Sequence, residues 1–194
     1  MLADLYPPAV GREPEAAEAL VQRLVEQGHA VTVVTSTALT SQALSAPNAP
    51  TGPAGVRTAG AISVRRHHAR SWLVPRLVRL QQRLGWTGRR LEPLAASIVS
   101  GAWSPGIARD AVGTHANLIA ALDAGNAPAY GLIAARARRV PLVLIAAGSP
   151  HAPDRLARRA DAYLGDPERA GRLGLVSCLR VEDALVSCRR DSGS

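Results

Sequence analysis

Several loops in this chain place polar residues directly after apolar runs, where an α/β sheet presents its ligand-binding groups. The run Leu118-Ile-Ala-Ala-Leu122 leads into Asp123, Gly125 and Asn126. A carboxylate there can accept a hydrogen bond from a substrate hydroxyl or act on it as a base. Equally, Asp123 and Asn126 can cap the helix that follows, with Pro128 in its first turn. A second loop, Pro7-Pro-Ala-Val-Gly-Arg-Glu13, opens a helix whose first amides can hold an anion, and the Arg12 guanidinium can hold a phosphate. The alternative is a plain turn with a solvated arginine. His115 stands alone and is either a catalytic group or a surface residue. Arg76, Arg79 and Arg83 flank a leucine stripe near Trp72 and Trp86 and could lie on an anionic membrane. Each basic residue near such a surface contributes about 1 kcal/mol, but an ordinary core-facing helix with solvated arginines has the same pattern.

The elements that must position these loops can be read from periodicity. Ala16, Ala17, Leu20, Val21, Leu24 and Val25 recur at helical spacing, while Glu15, Glu18, Gln22 and Glu26 take the other face. Gly28 predicts the stop, and the following Ala-Val-Thr-Val-Val-Thr-Ser36 predicts a strand covered on both faces. Residues 2–5 give a short first strand, 37–55 a loop rich in Ser, Thr, Pro and Gly, and 56–68 one or two strands around Gly60. Helices are expected over 72–84, 91–101 and 129–138, a turn over 103–106, and strands over 118–122 and 140–145. Residues 154–164 read as a helix running into a strand. The class is α/β with a mainly parallel sheet, one domain over 1–174 and a poorly patterned tail over 175–194.

At 194 residues the chain can bury one good core. Its net charge of +8 comes from arginine alone, since lysine is absent. That charge suits phosphates, anionic membranes or nucleic acid. Without an aromatic-interleaved basic motif or a helix-turn-helix signature, nucleic acid is not an expected partner. The absence of Gly-x-Gly-x-x-Gly after the first strand argues against a dinucleotide oxidoreductase. Cys178 and Cys188 have no histidines nearby, so neither a metal site nor a disulfide framework is expected. No apolar run approaches the roughly 20 residues that cross a bilayer, and the expected location is the cytoplasm, with peripheral contact at the inner membrane face as an extension.

The Tyr6-Pro-Pro loop, the helix, and Gly28-His-Ala-Val-Thr-Val-Val-Thr35 together resemble the N-terminal domain of GT-B glycosyltransferases of the family-four type. The match is good over 4–36 and partial over 117–161. It implies a Rossmann-like three-layer sandwich with a mainly parallel sheet, forming one half of a GT-B fold. This half would bind a glycan or lipid acceptor, while a separate donor domain holds the nucleotide-sugar. A hexose would pass with retained anomeric configuration, with no metal and no cofactor beyond the donor substrate. By itself this half should transfer little or nothing. In the family two glycines follow the Pro-Pro loop. Gly11 matches the first and Arg12 replaces the second. The family's active-site histidine corresponds to His115 in one register. The register with better strand spacing instead puts Asp123, Gly125 and Asn126 in the site. Gly148 and Ser149 match a His-Gly-Ser loop whose histidine is here Ala147. These departures keep open a second reading, a non-catalytic remnant or subunit that binds an anionic membrane surface or a partner chain.

Overall fold

A computed structural model describes residues 1–44, 51–68, 104–146 and 154–178. The helices expected over 72–84 and 91–101, with Arg76, Arg79 and Arg83, lie outside the described residues, as do Gly148 and Ser149.

Helix α1 spans Arg12–Glu26 and buries Pro14, Ala17, Val21 and Leu24, a narrower stripe than the periodicity predicts, since Leu20 and Val25 are half-buried and Ala16 is exposed. It ends as expected at Gly28: the Gly28 N–H donates to the Val25 carbonyl and the His29 N–H to the Leu24 carbonyl, the paired bonds of a Schellman stop. Strand β1 follows at Val31–Ser36, then a hairpin of β2, Gly55–Ala59, and β3, Ile62–His67. The loop between them includes a short 3₁₀ turn at Gln42–Leu44. Helix α2, Pro105–Gly113, starts where a turn was expected, because Ser104 takes the N-cap position and Pro105, with φ already fixed, suits the first helical turn. Then come β4, Ile119–Leu122, α3, Ala127–Arg138, and β5, Leu142–Ile145. The series closes with α4, Asp154–Ala157, β6, Ala162–Leu164, α5, Pro167–Leu173, and β7, Val176–Cys178. The sheet thus continues past Gly174, where the sequence pattern fades.

Two blocks of strands, β2-β3-β1 and β4-β5-β6-β7, are joined through Leu2, which bridges Val34 on one side and Ala121 on the other, both in parallel. The first strand therefore lies at the centre of the sheet. Among the described residues every pairing between these strands is parallel except that of β2 with β3, and a lone bridge of Ala38 with Thr51 is also antiparallel. Because side chains alternate along a strand, the sheet has two buried faces. Ile119, Ala121, Leu142, Leu144 and Tyr163 face one core, shared with residues of α2, α3, α4 and α5. Ala120, Leu122, Val143, Ile145, Ala162 and Leu164 face the other, which Ala17, Val21 and Leu24 of α1 complete. Helix α3 packs so closely that a Cβ on Gly131 would lie 2.8 Å from Leu142 Cδ1 and 3.0 Å from Ala121 Cβ. Among the described residues no helix is long and apolar enough to cross a membrane.

Candidate functional site

In a parallel sheet all strands end on one edge, here at Asp4, Ser36, His67, Leu122, Ile145 and Leu164. Helices α1 and α3 begin at that same edge, so their unbonded first amides add positive potential to it. The edge carries an unusual density of buried polar groups: Asp4, Thr35, Ser36, Asp123, Asn126 and Arg169 are all at most 5% exposed.

The centre of the edge is Asp4, at the end of the first strand. Its carboxylate accepts the Asn126 N–H at 2.8 Å, and its carbonyl accepts the Ser36 hydroxyl at 2.6 Å. Asn126 occupies the N-cap position of α3, yet its side chain makes no capping hydrogen bond, and its buried Nδ2 has no partner. Across from it, Glu13 lies in the first turn of α1. Burial raises its pKa, a Leu5 backbone hydrogen bond opposes the rise, and its buried Oε1 has no partner. Gly11 caps α1 at φ 134°, a conformation closed to side-chain-bearing residues, although a Cβ would find room there. Glycine is therefore required by the turn itself. Arg12 is exposed beside it. The Tyr6-Pro-Pro loop is pinned from β3, where buried Arg66 donates to the Pro7 carbonyl. Arg65 in turn reaches Asp110 at 3.6 Å, and His67 Nε2 lies 3.0 Å from the same carboxylate. The described part of the arginine cluster is therefore engaged internally.

Further along the edge Asp123 forms a separate network. Its carboxylate accepts from Arg169 Nε at 2.7 Å and from the Tyr163 hydroxyl at 2.8 Å, while Arg169 also donates to Asp154 at 2.9 Å. Burial acts to lower the Arg169 pKa, but the Asp123 hydrogen bond and charge, then those of Asp154, outweigh it and hold it raised. Tyr163 is raised by burial first and by Asp123 second. Asp123 holds β4, β6 and α5 together, and it neither caps α3 nor presents itself to a ligand.

His115 lies on the loop before β4 and Asp123 on the loop after it, so the strand separates the two expected catalytic groups. His115 is exposed at the amino edge, with Nδ1 2.6 Å from an Arg138 nitrogen. Together with Met1, Leu24, Val31, Thr32 and Leu118 it lines a cavity of about 620 Å³. Gly125 and Asn126, by contrast, lie on the loop after β4, at the same carboxyl edge as the Gly11–Arg12 turn that opens α1. The residues that sequence reasoning missed are Asp4, Glu13, Tyr163 and Arg169. Only Asp4 had a legible signal, as the first polar residue after the first apolar run. Among the described residues no cluster of His, Cys, Asp and Glu is placed to hold a metal.

Comparison of the chain with protein-family models, with curated proteins and with solved structures returned no match.

Proposed function

We propose that this chain is the acceptor-binding half of a GT-B glycosyltransferase of the family-four type, a Rossmann-like domain that works with a donor domain holding the nucleotide-sugar. The observation that carries the reading is the setting of the Tyr6–Arg12 loop. It leaves the central strand, is pinned by Arg66, and delivers Gly11 to the N-terminus of α1 at the carboxyl edge. A loop so fixed, beside buried polar groups and two helix N-termini, suits recognition of a polar ligand. The hexose would be activated on the donor domain, and the role of this half is to hold the acceptor hydroxyl close to the reacting carbon.

The separation of His115 from Asp123 and the engagement of Asp123 by Arg169 favour a domain that binds without performing acid-base chemistry itself. That also supports the second reading, a non-catalytic subunit seated on an anionic membrane or a partner chain. The test uses the full chain alone and fused to the donor domain of a family-four transferase. A panel of UDP-, GDP- and ADP-sugars is offered with anionic liposomes carrying lipid acceptors. Transfer only by the fusion is the expected result. Liposome binding with no transfer in either form supports the subunit reading instead.

A further inference from the structure

The cavity of about 620 Å³ at the amino edge has the size of a small-molecule site and plays no part in the proposed function. Its floor is apolar: Leu2, Leu24, Val31, Val34 and Ile119 line it, each at most 8% exposed. Three helices end at its rim. His29 follows the Gly28 stop of α1, His115 follows the last turn of α2, and Arg138 is the last residue of α3. Arg138 donates to His115 Nδ1 at 2.6 Å, which makes that nitrogen the acceptor and Nε2 of the same ring an N–H donor. Among the described residues no Asp or Glu lines the cavity, and Arg138 has no carboxylate partner. The Met1 amino group lines it too, but burial lowers its pKa to about 5, so it adds no charge at pH 7. Helix carboxyl ends oppose an anion, yet here they are already engaged. The Leu24 carbonyl accepts the His29 N–H, the Asp110 carbonyl the Thr114 N–H and hydroxyl, and the Ala135 carbonyl the Val140 N–H. Their remaining partial charge fades within a turn, so the full charge of Arg138 sets the sign of the rim.

We infer that the amino-edge cavity binds a medium-chain alkyl carboxylate, with the chain on the apolar floor and the head on Arg138, and His115 as the second donor. A guanidinium suits such a head because its planar fork gives a carboxylate paired, charge-assisted hydrogen bonds. The chain supplies most of the affinity through burial, and the head fixes the orientation. This site does not depend on the proposed function, since the sheet lies between it and the carboxyl edge.

The test is an NMR titration of the full chain with octanoate and, separately, with octanol, octylamine and acetate. Saturable binding of octanoate is expected, with octanol and octylamine weaker by about tenfold or more and acetate not bound. Each methylene removed from octanoate should weaken binding about fourfold. The methyl resonances of Leu24, Val31 and Ile119 should move with octanoate. Arg138→Gln, which removes the charge and keeps a polar side chain, should weaken octanoate about tenfold or more and leave octanol unchanged. His115→Ala should weaken octanoate by a smaller factor, about fivefold. Thermal melts identify a variant that fails to fold, and exposed His115 serves if Arg138→Gln is lost. The inference is overturned if octanoate does not saturate the wild-type chain, or if octanol or octylamine binds as tightly. Unmoved cavity methyls overturn it as well, and so does octanoate affinity unchanged in folded Arg138→Gln.

Discussion

The two edges of the sheet differ in a way that separates space from chemistry. The amino edge has the room: a cavity of about 620 Å³ with an apolar floor and a rim of exposed His29, His115 and Asn117 beside half-buried Arg138. The carboxyl edge has the electrostatics: carboxylates, an arginine and an amide withdrawn from water and bonded to one another. Rim charges in water interact weakly, whereas buried ones are strongly coupled to any change nearby. The proposed function therefore rests on the carboxyl edge, where buried polar groups gather, and not on volume.

The comparison breaks most severely at Asp123. With Asp123 fully buried and the Arg169 side chain 7% exposed, Asp123→Ala leaves a buried guanidinium without its main partner. We expect a loss of about 3–5 kcal/mol in urea unfolding, with part of it recovered when Arg169→Met is added. A loss below 1 kcal/mol would mean that the network is not the anchor of this edge. Tyr163→Phe is a milder cut at the same carboxylate. It removes one hydrogen bond to a charged group while Arg169 stays, and the expected loss is about 1.5–3 kcal/mol.

Glu13 sharpens the comparison through the sign of its pH dependence. Burial raises its pKa above the ordinary value of 4.5, so the folded state holds the proton more tightly than the unfolded chain does. The corresponding stability is fully present below the unfolded value and is lost as pH rises through the folded one. Glu13→Gln should therefore melt higher than wild type at pH 7, and the difference should shrink toward zero as pH falls below 4.5. A variant that melts lower at pH 7 would show that the Glu13 charge is stabilised by something other than the Leu5 hydrogen bond.

How much of this was legible in the sequence depended on the range of the interaction. The α1–β1 unit was, because its helical stripe, its glycine stop and its β-branched strand are all encoded within a few residues. The placement of Gly11, Gly125 and Asn126 at one edge was also legible, since it follows from strands and loops in alternation. What those side chains touch was not. Asn126 meets Asp4 across 122 positions and Asp123 meets Arg169 across 46, and nothing in local spacing chooses such partners. Ser104-Pro105 illustrates the local limit, because the same residues open a turn or a helix and packing against Tyr130 decides: the Ser104 N–H donates to the Tyr130 hydroxyl at 2.8 Å.

The smallest expected effect is at the other edge. His115→Ala removes an exposed side chain that meets the Arg138 guanidinium at the rim of the cavity. Exposed pairs of this kind contribute little, because water screens the charges and two long side chains must be held still to meet. Stability should change by no more than about 0.5 kcal/mol, and transfer by the fusion should not change. That null result has weight, because β4 runs between His115 and Asn126. A shared site would need the ligand to span the sheet from one edge to the other. If His115→Ala instead abolished transfer by the fusion while leaving the fold intact, the chemistry would have to be assigned to the amino edge, and the ranking of the two edges would reverse.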